Sequence, residues 1–145
     1  MELAIQGLIA GIVATSVMTL VEIPSWKRWG LQGVFEWHEN QSITTYLTRK
    51  TGVNFYGIFG LHFLNGTLGG LAFPFIGSYM VPFIPLIQSG IIYGAVLWVV
   101  TLFPIHKPVT GMHPWNHPLG KMPAIVSLAD HILYGIVLGG LLVIL

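Results

Sequence analysis

The chain has 145 residues, of which 54% are hydrophobic and only 8% are charged, whereas about a quarter of the residues of a soluble domain carry a charge. This composition predicts an integral membrane protein of one compact domain. The net charge of +1 gives no indication of nucleic-acid binding. The sequence has no cysteine, which excludes disulfides, thiolate metal sites and cysteine-bound iron–sulfur clusters.

Apolar runs predict four membrane-spanning helices. The first covers the run from Leu3 to about residue 25, close to the length that crosses about 30 Å of hydrocarbon. Residues 51–105 contain no Asp, Glu, Lys or Arg, which leaves room for two spans separated by a Gly-Ser and proline turn. The sequence therefore predicts an all-α, integral membrane four-helix bundle with spans at about 3–25, 56–78, 83–105 and 123–145.

The connections between the spans predict the orientation of the chain. All basic residues fall in the first and third connections: Lys27, Arg28, Arg49, Lys50, Lys107 and Lys121. The positive-inside rule then places both connections in the cytoplasm and both termini outside, in the cell membrane. Within the first connection, residues 34–50 predict a short interfacial helix. We expect Trp26, Trp29, Trp37 and Trp115 to anchor this interface, and His106, His113 and His117 to be interfacial loop residues.

An internal repeat relates the second and fourth spans. Both contain the pattern H-x-L-[NY]-G-x-x-x-G, starting at His62 and at His131. The repeat predicts two similar helical hairpins. Small residues four apart let membrane helices approach closely, and this packing role is predicted for Gly7, Gly11, Gly66, Gly70, Gly135 and Gly139.

Ionisable residues inside the spans predict a functional site. Asp130 and His131 lie side by side in the fourth span, where each ionisable group costs roughly 2.5–3.5 kcal/mol to insert. The predicted topology puts Glu22 and His62 at a similar depth. The cytoplasmic connection adds three further candidates, Glu36, His38 and Glu39. Carboxylate and imidazole ligands suit a divalent metal ion such as Zn, Mn, Fe or Ni, and the same groups suit proton transfer.

Other interpretations of this cluster stay open. The acids and histidines could satisfy one another, with Glu22 paired to Lys27, Arg28 or another basic residue, in a homo-oligomer or a non-catalytic accessory subunit of a larger membrane complex of respiratory or oxidase-like type. His62 and His131 could ligate haem b. A small transporter or a membrane-embedded hydrolase is the remaining alternative. The sequence lacks the G-x-S-x-G, H-E-x-x-H and phosphate-loop motifs, so no enzyme class is indicated.

The fourth span carries a short motif with a resemblance. His131, Tyr134, Gly135 and Gly139, together with a first span that ends Met18-Thr19-Leu20-Val21-Glu22, resemble YagU-type and other small four-span membrane proteins of archaea and bacteria. The likeness covers the spans and leaves out residues 36–40. It implies a small helical membrane protein and carries no established chemistry.

Overall fold

The computed structural model describes residues 2–80 and 82–145, and all of their regular structure is helical, with no strand. The α-helices in chain order are α1 (Leu3–Trp29), α2 (Phe35–Thr48), α3 (Phe55–Met80), α4 (Leu86–Thr101), α5 (Lys107–Thr110) and α6 (Met122–Ile144). Four helical stretches are long and apolar enough to cross a membrane: α1, α3, α6 and the continuous stretch Leu86–Thr110. The prediction of an all-helical membrane protein with four spans is confirmed at this level.

A π-helical segment, Leu102–His106, joins α4 to α5 and carries the third span on to Thr110, beyond the predicted end at residue 105. Pro104 lies inside this segment and has no backbone N–H to donate, so the regular α-helical hydrogen-bond pattern cannot continue through it. π-helical turns of this kind are frequent at functional sites. This one places His106 in the interior of the molecule, with none of its surface exposed.

Glycines bring two pairs of helices into backbone contact. A Cβ on Gly7 of α1 would lie 2.7 Å from the carbonyl oxygen of Gly70 in α3, and a Cβ on Gly11 would lie 3.0 Å from that of Gly66. A Cβ on Gly139 of α6 would lie 2.8 Å from the Cα of Ile87 in α4. Only glycine permits such close approach, so α1 packs along α3 and α4 packs along α6.

The helix predicted at the membrane interface packs into the bundle. α2 contacts α3, α5 and α6, and its residues Phe35 and Trp37 are each 1% exposed. The expectation that Trp37 anchors the interface is therefore wrong. The side chains of Glu39 and Asn40 are buried as well. The face of α2 that points inward therefore carries polar side chains beside the aromatic ones.

Candidate functional site

Three glutamates are each paired with a histidine from a different helix. The pairs are Glu22 with His62, Glu36 with His131, and Glu39 with His106. In residues 2–80 and 82–145 every acid–base pair within ion-pair distance involves a histidine, and none involves lysine or arginine. The expected pairing of Glu22 with Lys27, Arg28 or another basic residue is therefore wrong.

The first pair joins α1 to α3. Glu22 is completely buried, and its Oε2 lies 3.4 Å from Nε2 of His62. The indole Nε1–H of Trp37 donates a hydrogen bond of 2.7 Å to the same Oε2. The other oxygen of Glu22 and Nε2 of His62 are buried without a hydrogen-bond partner. Buried polar groups are nearly always satisfied. We therefore expect these atoms to bind a water, a proton or a ligand.

The second pair joins α2 to α6. Nδ1 of His131 lies 2.9 Å from the backbone carbonyl oxygen of Ser127, which requires an N–H on Nδ1. The same nitrogen lies 3.4 Å from Oε1 of Glu36, and the Ser127 hydroxyl donates to that oxygen. Nε2 of His131 lies 3.5 Å from the hydroxyl of Thr101 in α4. His131 therefore connects side chains of three helices.

The third pair lies at the π-helical segment. Nδ1 of His106 is 2.8 Å from Oε1 of Glu39. Burial raises the pKa of Glu39 to about 9, with Glu36 contributing, so Glu39 holds a proton at neutral pH. Burial also lowers the pKa of His38 to about 4, with His106 and His117 contributing. The rings of His38 and His106 are 5.9 Å apart between centroids.

His117 also belongs to this region, although a loop position at the interface was expected for it. His117 is 5% exposed, and its ring packs 5.3 Å from that of Phe35. Burial lowers the pKa of His117, and His106 lowers it further. Both effects disfavour the charged form of the His117 ring. The expectation of a surface position is wrong for both His106 and His117, whereas His113 is exposed.

A cavity of about 120 Å³ lies between these pairs. Its lining includes one member or more of each pair: Glu36, Glu39, His62 and His131. The rest of its polar lining comes from Thr15, Asn40, Asn65, Thr101 and Tyr134. A buried water needs at least about 10–15 Å³ of such space, so the cavity has room for several waters that bridge the pairs.

The structure separates the residues that were predicted as one site. Glu22, Glu36, Glu39, His62 and His131 lie at or next to the cavity. Asp130 is buried outside its lining. His38 lies behind Glu39, against His106. His106 was predicted as an interfacial loop residue and not as part of the site, and its position two residues after Pro104 was the available signal.

A metal ion in a protein needs three or more ligand side chains that converge on one point. Among residues 2–80 and 82–145, no group of three or more His, Asp or Glu side chains is arranged so that it could hold one. A cation bound here would require side chains to rotate. Metal binding and haem ligation by His62 and His131 both stay predictions.

Comparison with known proteins adds a family without a known activity. No curated protein and no solved structure matches the chain. One family profile matches residues 1–145. The chain belongs to that family, DUF6789, a family of unknown function.

Proposed function

We propose that this protein takes up protons and transfers them within the membrane through its three Glu–His pairs. The observation that supports this most is the convergence of the pairs on one cavity, with separations of 2.8–3.4 Å within each pair. Histidine exchanges protons near neutral pH. Waters in the cavity would connect one pair with the next, since a water makes two to four hydrogen bonds to buried polar groups.

The orientation of the network follows from the basic residues. With both termini outside, the end of the bundle that carries α2 and α5 faces the cytoplasm, so protons would enter from that side. α2 then lies at the cytoplasmic end of the spans, and the helix pairs α1–α3 and α4–α6 are two similar hairpins. The repeated histidines of these hairpins, His62 and His131, both line the cavity, which supports this arrangement.

An infrared titration of the protein in lipid tests the proposal. A proton-transfer network titrates as a coupled set, so removing one member shifts the titration of the others. Glu36→Gln should therefore shift the pH at which the remaining buried carboxyl bands change, relative to the wild-type protein. The matched control is Glu2→Gln, which removes an exposed glutamate directly before the start of α1. Carboxyl bands that titrate identically in wild type and Glu36→Gln would overturn the proposal.

Binding of a divalent metal ion is a second candidate. It is favoured by three buried atoms without hydrogen-bond partners, Oε1 of Glu22, Oε2 of Glu36 and Nε2 of His62, because carboxylate and imidazole are common ligands of Zn, Mn, Fe and Ni. Elemental analysis of natively purified protein tests it. Metal that is lost in both Glu36→Gln and His131→Ala would support it, and a metal-free wild-type protein would exclude it. An absorption spectrum of the same sample tests haem.

The rival to both is a structural role as an accessory subunit of a larger membrane complex. In that role the Glu–His pairs only hold the helices together. Native gel analysis after gentle extraction distinguishes this structural role from the two functions above, because a subunit migrates with its partners.

A further inference from the structure

An asparagine side chain is exposed in the middle of a membrane span. Asn65 lies ten residues after the start of α3 at Phe55, which is about 15 Å along a helix that rises about 1.5 Å per residue. The neighbouring outward-facing residues, Leu64 and Leu68, are each 53% exposed. Asn65 is therefore an amide at hydrocarbon depth, where a polar group without a partner costs several kcal/mol.

Asn65 marks the mouth of the cavity. It lines the cavity together with Gly66 and Gly69 of α3 and with Leu97 and Thr101 of α4. α3 and α4 contact each other only sparsely, whereas each packs closely against another helix. Because Asn65 is both exposed and part of the lining, the cavity opens sideways between α3 and α4, toward the lipid.

The two ends of the cavity differ in character. The inner end has His62, which is 5% exposed and has an unpartnered Nε2, and Glu36, which has an unpartnered Oε2. Nearer the mouth the lining is formed by small and apolar residues, Gly69 and Leu97. A molecule that fits would enter from lipid, present a flat apolar body to the mouth and offer hydrogen-bonding groups to the inner end.

We propose that the cavity binds the head group of a lipid-soluble quinone. A quinone ring carries carbonyl oxygens on opposite edges, and these would accept hydrogen bonds from the Asn65 amide at the mouth and from His62 at the inner end. The volume of about 120 Å³ suits a single ring. No Lys or Arg is among the described residues that line the cavity, so nothing there would pair with the phosphate of a phospholipid or the carboxylate of a fatty acid. The proposal goes beyond proton transfer and does not require it.

Glycine substitutions on α3 give a matched pair of variants. A Cβ on Gly69 would lie 3.0 Å from the hydroxyl oxygen of Tyr134 and 3.7 Å from Cδ1 of Leu97, so Gly69→Leu places its side chain in the cavity. A Cβ on Gly60 has no atom within 4 Å, so Gly60→Leu adds the same side chain to the same helix outside the cavity. Asn65→Leu removes the exposed amide from the lining.

Calorimetric titration of decylubiquinone into the detergent-solubilised protein tests the proposal. We expect saturable binding of one molecule per chain to wild type and to Gly60→Leu, and at least tenfold weaker binding to Gly69→Leu and to Asn65→Leu. Absence of saturable binding to wild type, or equal affinity in all variants, would overturn the proposal. The result is independent of the infrared titration, so the quinone site and the proton network can fail separately.

Discussion

Trp37 shows how a residue taken for an interfacial anchor stabilises the interior of the bundle. Its indole donates to the completely buried Glu22, and leaving a buried acceptor without its donor costs about 1–3 kcal/mol. We expect Trp37→Phe, which keeps an aromatic ring but loses the donor, to lower the free energy of unfolding by about that amount. Thermal unfolding in detergent measures it. Trp115→Phe is the control, since Trp115 is 40% exposed, and an equal loss in both variants would contradict the prediction.

Glu39 makes the stability of the protein depend on pH. Its pKa rises from 4.5 to about 9 in the folded chain, so the folded state keeps a proton that the unfolded state releases. Its contribution to stability is therefore complete below pH 4.5 and is lost as the pH rises toward 9, with a slope of up to about 1.4 kcal/mol per pH unit. We expect Glu39→Gln to flatten this decline in unfolding measurements over a pH series. A decline unchanged in Glu39→Gln but flattened in Glu2→Gln would contradict the assignment.

His38 has the opposite dependence. Its pKa falls from 6.5 to about 4 on folding, so its contribution to stability is complete above pH 6.5 and is lost as the pH falls toward 4. We expect His38→Gln to make the protein more resistant to acid than wild type in the same unfolding series. The exposed His113 provides the control, because its replacement by glutamine should leave the acid limb unchanged. Equal acid sensitivity of wild type and His38→Gln would disprove the prediction.

At the level of helices, the four spans could be predicted because each is a predominantly apolar run of sufficient length. The burial of α2 could not be predicted in the same way. The face of α2 that packs inward contains Glu39, Asn40 and Thr44 as well as Phe35 and Trp37, so hydrophobic periodicity does not reveal it. His106 was missed for a related reason, because the π-helical segment that carries it inward contains Pro104, a residue that ordinarily ends a helix.

Of the two adjacent glycines Gly139 and Gly140 in α6, only Gly139 lies against α4. A Cβ on Gly139 would meet the backbone of Leu86 and Ile87, whereas a Cβ on Gly140 has no atom within 4 Å. We expect Gly139→Ala to lower the free energy of unfolding by about 1–3 kcal/mol, the usual cost of overpacking. Gly140→Ala should be neutral or slightly stabilising, since alanine is the better helix former. Thermal unfolding compares the two, and equal effects would show that α6 does not pack on α4 through Gly139.

In the whole molecule, α1 packs closely on α3 and α4 on α6, whereas α3 and α4 contact each other only sparsely. α1–α3 and α4–α6 meet through glycines with little room for side chains, whereas α3 and α4 are bridged mainly by the Tyr93 hydroxyl, which donates to the Gly69 carbonyl at 2.8 Å. Tyr134 of α6 donates to the carbonyl of Gly66 in a similar way. The sparse contact between α3 and α4 thus leaves the cavity open toward the lipid on that side, and α2 supplies Glu36 and Glu39 at its inner end.

The side of the membrane from which this inner end is reached can be determined with single cysteines, because the chain has none of its own. Lys50 is exposed in the segment between α2 and the start of α3. Tyr79 is 82% exposed near the other end of α3. With the basic connections in the cytoplasm, a membrane-impermeant maleimide should label Tyr79→Cys in intact bacterial cells and Lys50→Cys only after permeabilisation. The reverse pattern would place α2 and the entrance to the Glu–His pairs outside. Protons would then have to enter from the exterior, because the pairs lie on the α2 side of the bundle in either orientation.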